Sequence, residues 1–519
     1  MPERATTIDR LVRLRAAEHG PKPMVIDPAM RISYGELDAT TRDMAAAFVD
    51  AGVTKGTRVG LIMPNGVRWV QTAIALTRIG AVLVPLSTLL APRELVAQLR
   101  VASVQVLVAV EEFRGHRYHD ELAAEVYSPT KLPALRHVWT PGELASVEAD
   151  ATVDATADTV TPADALAVMF TSGSSGPPKG VIHSHGNALS AVHSGLAARC
   201  IDVDTRLYLP MPFFWVGGFG SGILSALLAG ATLITEEIPR PETTLGLLER
   251  ECVTLFRGWP DQAEVLARQS DSVGANLSTL RPGSLEALLP PGDHAQPGAR
   301  AKLFGMTEAF GPYCGYPADT DMPRSAWGSC GKPFEGTEVR IVDPDTGEPV
   351  STGTIGMIQI RGPNTLRGIC RRSREEVFTA DGYYPTRDLG HLDEDGFMFY
   401  HGRSDDMFKV SGATVYPSEV EQALRSIDGV QNAFVTEVSG AVGAVVIGGE
   451  SADHLRAAAP KLLSSFKVPT VWLIVDSDDA IPRGGTGKVD VAELRRMLTT
   501  RLEAPDLLLP SRGDDAGQA

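Results

Sequence analysis

The chain has 519 residues, too many for one compact core, so a large body with at least one smaller domain is expected. Hydrophobic residues make up 43% and charged residues 22%, which is typical of a globular protein and not of a disordered one. The formal charge of −16 argues against a nucleic acid partner, because binding to a phosphate backbone needs a basic face.

Targeting and redox signals point to a cytoplasmic protein. The N-terminal residues are charged and lack an apolar signal segment, and no apolar stretch is long enough to span a bilayer. The five cysteines have no CxxC spacing, which predicts neither a zinc site nor a disulfide framework. A homodimer is compatible with the sequence.

Helix and strand signals alternate in the first part of the chain. Ser33 and Glu36 form a capping-box pattern that opens a helix ending at Gly52. Apolar runs predict strands at 59–63, 81–85 and 104–110, and helical spacing predicts helices at 67–79 and 92–101. This alternation predicts an α/β fold: a large N-terminal doubly wound body with helices on both faces of its sheet.

The pattern changes from about Thr337. Runs at 338–342 and 354–361 alternate like antiparallel strands around a turn and predict a small β subdomain. Later signals predict a small C-terminal α+β domain, with a helix at 417–424 and strands at 430–436, 442–447 and 471–475. The predicted domains are residues 1–403, residues 404–504 and a disordered tail at 505–519.

Residues 171–180 (TSGSSGPPKG) directly follow the apolar run 166–170. A loop of glycines, hydroxyls and one lysine after a buried strand offers backbone N–H groups, hydroxyl donors and a cation to a polyphosphate. A flexible linker is the alternative, but linkers rarely follow a buried strand so closely. The spacing is not GxxxxGK[ST], which excludes a P-loop NTPase. The candidate nucleotide-binding residues are Thr171, Ser172, Gly173, Ser174, Ser175, Gly176 and Lys179.

This loop resembles the phosphate loop of a superfamily that contains acyl-CoA synthetases, peptide-synthetase adenylation domains and beetle luciferases. Four further motifs follow in that family's order: 304–308 (FGMTE), 384–388 (YPTRD), 402–412 (GRSDDMFKVSG) and 482–488 (PRGGTGK). The resemblance covers nearly the whole chain. It implies that ATP activates a small-molecule carboxylic acid as an acyl-AMP, with release of pyrophosphate.

The thiolation-loop motif within 402–412 implies transfer of the acyl group to coenzyme A, as in an acyl- or aryl-CoA ligase. One alternative is an adenylating enzyme whose acceptor is a carrier protein or an amine. An alternative from another class is a catalytically silent nucleotide-binding sensor or scaffold. The intact Lys488, Glu308 and Asp388 speak against the silent alternative.

Nucleotide contacts follow from the same resemblance. Phe304 occupies the position of the aromatic residue that stacks on adenine, and Asp388 and Arg403 match the residues that bind the ribose. Thr307 matches the residue that hydrogen-bonds the α-phosphate region, and Glu308 matches the ligand of Mg²⁺. Taken singly, the two carboxylates would be ordinary surface residues.

The C-terminal motifs imply a catalytic lysine and a mobile domain. Lys488 matches the lysine that stabilises the transition state, so Lys488, Thr307 and Glu308 are the candidate catalytic residues. Asp405 aligns with the family hinge, whose rotation moves the C-terminal domain between two catalytic poses. The coenzyme A (thiolation) loop comprises Lys409, Ser411 and Gly412, with Gly412 lining the pantetheine passage.

The acyl pocket departs from the family's pattern. Trp215 stands where relatives carry histidine, so Trp215 and Gly217 are candidate pocket residues, with core packing as the alternative for the indole. Arg257 would recognise a polar substituent or a second carboxylate of the substrate, but a surface salt bridge is favoured. The usual Gly-Gly-Ala-Pro segment is missing from 280–303; residues 282–284 (PGS) are expected to take its role, without individual adenine contacts being assigned.

Overall fold

The computed structural model describes residues 6–126, 131–143, 147–171, 178–404, 408–410, 413–449, 451–483 and 489–503. The chain divides into two compact units. The first unit comprises Met1–Val339, Ile360–Pro385 and Asp395–Met398, and the second comprises Arg340–Gln359, Thr386–Glu394 and Phe399–Ala519. The domain boundary between residues 403 and 404 stays a prediction.

Fourteen α-helices are numbered along the described residues. They are α1 (Ile8–His19), α2 (Tyr34–Asp50), α3 (Val67–Arg78), α4 (Pro92–Val101), α5 (Tyr118–Glu125), α6 (Ala151–Asp158), α7 (His185–Ser194), α8 (Ser225–Ala229), α9 (Pro241–Arg250), α10 (Pro260–Val273), α11 (Arg374–Val377), α12 (Pro417–Arg425), α13 (Ala452–Ala458) and α14 (Val491–Glu503). The bounds of α2, α3, α4 and α12 match the four predicted helices within one to two residues.

The strands in the described part of the chain are numbered in the same way. They are β1 (Pro23–Ile26), β2 (Arg31–Ser33), β3 (Arg58–Ile62), β4 (Val82–Pro85), β5 (Val106–Ala109), β6 (His137–Trp139), β7 (Ala165–Thr171), β8 (Lys179–Ser184), β9 (Arg206–Tyr208), β10 (Thr232–Ile234), β11 (Leu255–Phe256), β12 (Phe304–Met306), β13 (Gly311–Gly315), β14 (Lys332–Pro333), β15 (Glu338–Val342), β16 (Gly356–Arg361), β17 (Gly368–Ile369), β18 (Tyr384–Leu392), β19 (Met398–Arg403), β20 (Phe408–Val410), β21 (Ala413–Val415), β22 (Val430–Val438), β23 (Ala441–Gly448) and β24 (Val471–Val475).

The largest sheet of the first unit has seven strands in the order β17-β8-β7-β4-β3-β5-β6. Strands β3 to β7 pair in parallel, while β8 pairs antiparallel with β7 and with β17. The chain leaves β3 for β4 on one side and then crosses to β5 on the other. This reversal is the signature of a doubly wound sheet, so the predicted α/β fold is confirmed.

A second sheet in the same unit has the order β11-β9-β10-β1-β2. Its first four strands are parallel and β2 closes the edge as an antiparallel strand. The helix α2 follows β2 through the predicted capping box, in which Ser33 and Glu36 bond each other's backbone N–H groups. The first unit therefore contains two mostly parallel sheets. The sequence alone indicated only that strands and helices alternate.

The helix α3 is buried on nearly all its faces. Trp69 lies edge-on to Phe213 and Phe219, with ring centroids 5.3 and 5.7 Å apart. At the end of this helix the fully buried guanidinium of Arg78 donates to the carboxylate of Asp9 at 2.7 Å. A buried charge is tolerated because it is paired in this way.

The second unit contains both helices and sheets. A four-stranded sheet has the order β15-β16-β18-β19, and a three-stranded sheet has the order β22-β23-β24. In the three-stranded sheet β22 and β23 are antiparallel and β24 is parallel to β23. Val420 and Leu424 of α12 belong to the buried cluster on this sheet. Within the described ranges, no helix has both the length and the apolar character needed to cross a membrane.

Candidate functional site

The predicted phosphate loop connects two antiparallel strands of the seven-stranded sheet. Thr171, the last residue of β7, lies opposite Lys179, the first residue of β8. This pairing holds the two ends of the loop side by side and confirms that a strand leads into it. The loop residues Ser172, Gly173, Ser174, Ser175 and Gly176 lie outside the described residues.

Lys179 contacts a carboxylate that the sequence assigns to Mg²⁺. Its Nζ atom forms an ion pair with Glu308 Oε1 and lies 2.7 Å from the hydroxyl oxygen of Tyr384. The Tyr384 hydroxyl also lies 2.9 Å from Glu308 Oε1. The Glu308 residue is only 4% exposed, so the alternative that it is an ordinary surface carboxylate is wrong. The fold therefore brings the end of the phosphate loop next to the motif at 304–308, and the Tyr384 hydroxyl contacts a residue of each. The sequence did not indicate this role of Tyr384.

Thr307 and Glu308 open a short 3-10 turn that ends before Phe310. Phe310 adopts a left-handed conformation with φ of 54°, and its N–H donates to the Thr307 carbonyl at 3.0 Å. The same carbonyl lies 2.8 Å from His183 Nε2 in β8. A left-handed conformation is uncommon for a bulky residue, so the surrounding contacts must hold this turn.

Phe304 lies in β12, which pairs with β13 just before this turn. Its ring is half-buried and packs edge-on against Tyr313, with the centroids 5.6 Å apart. A side chain at the next residue, Gly305, would meet the Gly311 carbonyl oxygen at 2.1 Å. Glycine is therefore required for β12 and β13 to approach at this place.

The predicted acyl residues flank a π-helix. Gly217 begins this helix, which spans Gly217–Leu224 and continues into α8. Such helices are rare and are frequently found at functional sites. Trp215 is half-buried and lies edge-on to Phe214 and to Trp259, with ring centroids 5.6 and 6.3 Å apart. The sequence did not indicate the π-helix.

The prediction of a surface salt bridge at Arg257 is wrong. Its guanidinium donates to the carbonyl oxygen of Arg199 at 3.0 Å, and Asp319 acts on its charge without forming a salt bridge with it among the residues that the structure describes. Burial lowers the pKa of Arg257, and it lowers the pKa of Arg199 to about 9. Arg199 in turn donates to the Val192 carbonyl in α7, so each guanidinium has a backbone carbonyl as a hydrogen-bond partner.

The ribose candidates lie together in the second unit. Asp388 in β18 is 6% exposed, and its Oδ1 atom lies 3.2 Å from Arg403 Nη1 in β19. Its backbone N–H donates to Thr386 Oγ1 at 3.0 Å, and that hydroxyl donates to the Ile358 carbonyl at 2.7 Å. Asp388 is thus not a surface carboxylate. Its backbone N–H is held by the Thr386 hydroxyl, which is itself bonded to the Ile358 carbonyl.

Other predicted residues of the second unit are not described. Asp405, Ser411, Gly412 and Lys488 lie outside the described residues. Lys409 lies in β20, which pairs with β21, but its side chain is not described. The roles of these residues stay predictions.

Glu308 fits a magnesium site whose other ligands come from a bound nucleotide and water. No cluster of three or more histidine, cysteine, aspartate or glutamate side chains that could hold a metal occurs in the described ranges. Mg²⁺ is commonly bound by one or two carboxylates together with substrate phosphates and water. The buried carboxylate of Glu308 beside the end of the phosphate loop fits that mode.

Residues 12–370 match the family described as AMP-binding enzyme. The chain belongs to the AMP-binding enzyme family. The family match includes the loop at 171–180 and the Thr307 turn. The motifs at 384–388, 402–412 and 482–488 lie beyond the matched residues.

Relatives of this AMP-binding enzyme are similar to it over nearly their full length. A 3-(7a-methyl-1,5-dioxo-octahydro-inden-4-yl)propanoyl:CoA ligase of Mycobacterium tuberculosis is 32% identical and covers 94% of this chain and 98% of its own. A feruloyl-CoA synthase of Amycolatopsis is also 32% identical, covering 90% and 94%. The ATP-bound structure of MatB from Rhodopseudomonas palustris has a TM-score of 0.78 at 25% identity and covers 96% and 99%.

Proposed function

We propose that this AMP-binding enzyme activates a ring-bearing carboxylic acid for transfer to coenzyme A. The carboxylate attacks the α-phosphorus of ATP, pyrophosphate leaves, and the thiol of coenzyme A then displaces AMP from the acyl-AMP. The products are the acyl-CoA thioester, AMP and pyrophosphate. The observation that carries the proposal is the contact of Lys179 with Glu308, which joins the phosphate loop to the predicted metal ligand.

The first unit supplies the groups for the triphosphate. We assign the β- and γ-phosphates to the loop 171–179 and the α-phosphate region to Thr307. Glu308 would hold Mg²⁺, which neutralises charge on the phosphate oxygens. Lys179 and Glu308 neutralise each other before the nucleotide binds, because an unpaired carboxylate at 4% exposure would be costly. Phosphates would then replace the carboxylate as partners of the lysine.

The ring-bearing class is supported by aromatic packing near Trp215 and by the relatives. Trp215, Phe214 and Trp259 form an edge-to-face series, which suits a flat or bulky ring better than a thin alkyl chain. The two curated relatives named above act on an indane-type acid and on ferulate, both of which carry rings. A side chain at Gly217 would meet the Met211 sulfur at 2.9 Å, so glycine allows close packing at the start of the π-helix.

Roles in the second unit are proposed residue by residue. The Asp388 carboxylate would accept hydrogen bonds from the ribose hydroxyls, and Arg403 would orient that carboxylate. Lys488 would stabilise the charge that develops during adenylation, and Lys409, Ser411 and Gly412 would form the coenzyme A passage. Cytoplasmic location, hinge action at Asp405 and a homodimeric state also stay predictions.

A panel of acids tests the proposed reaction. Purified full-length enzyme would be given aryl, alicyclic and linear carboxylic acids with Mg²⁺ and ATP, and pyrophosphate release would be measured with and without coenzyme A. We expect ring-bearing acids to be preferred and multiple turnovers to require coenzyme A. Turnover with an amine or a carrier protein, and not with coenzyme A, would favour the alternative acceptors.

A further inference from the structure

His183 is a buried polar side chain that the proposed mechanism does not yet use. Its side chain is 0% exposed, although histidine more often lies part-way to the surface. Its Nε2 atom lies 2.8 Å from the Thr307 carbonyl oxygen, and its Nδ1 atom lies 2.9 Å from Asn187 Nδ2. A carbonyl oxygen only accepts, so one neutral tautomer, with the proton on Nε2, satisfies both bonds.

The second partner of the ring is itself fixed. Asn187 forms a capping box with Ser184 at the start of α7: its Oδ1 accepts from the Ser184 N–H at 2.6 Å, and its own N–H donates to Ser184 Oγ at 3.2 Å. The amide oxygen is thereby used, which leaves Nδ2 to donate to His183. The tautomer and the ring orientation of His183 therefore follow from the cap of α7.

One strand thus holds two successive residues of the turn. His183 lies four residues after Lys179 in β8, so both side chains leave the same face of the strand. Lys179 contacts the Glu308 carboxylate, and His183 contacts the Thr307 carbonyl. The turn cannot rotate without breaking one of these contacts.

The imidazole also supports the strained end of the turn. Its ring lies edge-on to Phe310, with the centroids 4.8 Å apart, and Phe310 packs in the same way on Phe219 of the π-helix at 6.0 Å. Phe310 is the residue with φ of 54°. Removing the imidazole would therefore remove a hydrogen bond and a packing partner from the same turn.

We infer that His183 is a positioning residue for nucleotide binding: it holds the Thr307 turn so that the Thr307 hydroxyl and the Glu308 carboxylate face Mg²⁺ and the phosphates. The inference rests on the proposed function, since it gives these two groups their ligand. His183 itself touches neither the nucleotide nor the metal in this scheme. Its effect is transmitted through the Thr307 carbonyl.

Binding of a non-reactive nucleotide tests the inference without knowledge of the acid. Full-length wild type, His183→Leu and His183→Gln would be titrated with α,β-methylene-ATP by calorimetry at several Mg²⁺ concentrations. Leucine cannot donate to Thr307, whereas the glutamine amide can place a donor near the position of Nε2. We expect His183→Leu to bind about tenfold more weakly or worse and to need more Mg²⁺ for half-saturation, and His183→Gln to stay within about threefold of wild type.

His185→Leu is the matched control. His185 is also 0% exposed and only two residues away, but its Nδ1 accepts from the Ile8 N–H at 3.3 Å and it makes no hydrogen bond to the Thr307 turn among the described residues. This variant should melt at a lower temperature yet bind the probe within about twofold of wild type. A merely structural role for His183 would give the same pattern as the control.

Binding by the histidine variants decides the inference, and binding by the wild type tests the proposed function. A folded His183→Leu with wild-type affinity and Mg²⁺ dependence overturns it. If His183→Leu does not fold, His183→Asn replaces it, because the shorter amide cannot reach Thr307: binding as tight as that of His183→Gln overturns the inference, and weaker binding supports it. Failure of the wild type itself to bind the probe would instead refute the proposed function.

Discussion

Lys179 and Glu308 are 129 positions apart in the chain, yet they share one ion pair at the end of the phosphate loop. Sequence motifs predicted that both residues handle phosphate and Mg²⁺. Tyr384 and His183, which fix the pair and the adjacent turn, could not be predicted. A tyrosine or a histidine in a strand carries no local signal of its long-range partner, so their roles emerge only from the folded contacts.

Tyr384→Phe should weaken use of ATP. Loss of a hydrogen bond to charged partners costs about 1.5 to 3 kcal/mol, which corresponds to a decrease of about 10- to 100-fold in kcat/KM for ATP. Acid-dependent pyrophosphate exchange at varied ATP would measure it. Tyr383→Phe is the matched control, since that neighbouring hydroxyl lies 3.1 Å from Glu338 and not beside Lys179. Equal kinetics in the two variants would contradict the role of Tyr384.

Trp215→Ala should change which acids are preferred. The indole lies in the aromatic series and belongs to none of the described buried clusters, so its loss should lower kcat/KM for ring-bearing acids by about 10-fold or more and leave KM for ATP nearly unchanged. The acid panel measures this ranking. Trp327→Ala serves as the control because its indole donates to the Met322 carbonyl. An unchanged ranking with a lower melting temperature would support core packing.

Among the secondary-structure elements, the π-helix Gly217–Leu224 gives a structural reason for the four glycines in its sequence, GGFGSGIL. Its glycines allow close approach: a side chain at Gly218 would meet the Pro212 carbonyl oxygen at 2.1 Å, and one at Gly220 would meet Phe310 at 3.1 Å. Capping boxes and apolar runs predicted α2 to α4 and β3 to β5 well, because those signals are local. A π-helix depends on packing from several elements and has no comparable local pattern.

Gly218→Ala should therefore destabilise the body by about 1 to 3 kcal/mol, the usual cost of overpacking. Gly246→Ala is the matched control, because a side chain there meets nothing within 4 Å in the middle of α9. This control should gain about 0.5 to 1 kcal/mol from the higher helix propensity of alanine. Urea unfolding followed by circular dichroism gives both values. Equal changes in the free energy of unfolding in the two variants would show that small movements remove the contact at Gly218 at little cost in stability.

At the scale of the whole molecule, buried histidines make stability depend on pH. Burial lowers the pKa of His183 and of His185 to about 4, so both are neutral in the folded state at pH 5, whereas they would be protonated in the unfolded chain. The unfolded state therefore binds more protons between pH 6.5 and pH 4, and the free energy of unfolding falls as pH decreases through this range. The pKa of His19 and of His401 is also lowered by burial, which acts in the same direction.

Each of the two fully buried histidines should lower the free energy of unfolding by about 2 kcal/mol when the pH falls from 7 to 5. Urea unfolding at these two values would measure the total. His185→Leu removes one of them and should reduce the pH dependence by about that amount, while lowering stability at pH 7. A pH dependence identical to that of wild type would contradict the lowered pKa of His185.

Lys488→Ala should separate the two half-reactions. Removing one preorganised charge from a transition state costs about 3 to 4 kcal/mol, so acyl-AMP formation should fall by about 10² to 10³-fold. Conversion of supplied acyl-AMP to thioester should survive, because that step does not need the lysine. Lys461→Ala, at an exposed position of the second unit, is the control. Equal loss of both half-reactions would contradict the assignment.

The proposed reaction passes through an enzyme-bound acyl-AMP, which is then converted to a thioester. The most direct measurement mixes wild-type enzyme with Mg²⁺, ATP and the best acid of the panel in the absence of coenzyme A, and quantifies acyl-AMP by mass spectrometry before and after coenzyme A is added. We expect close to one acyl-AMP per chain at first, and its replacement by acyl-CoA and AMP after the addition. Acyl-AMP that persists after coenzyme A is added, or thioester that forms with ADP and phosphate as products, would contradict the account.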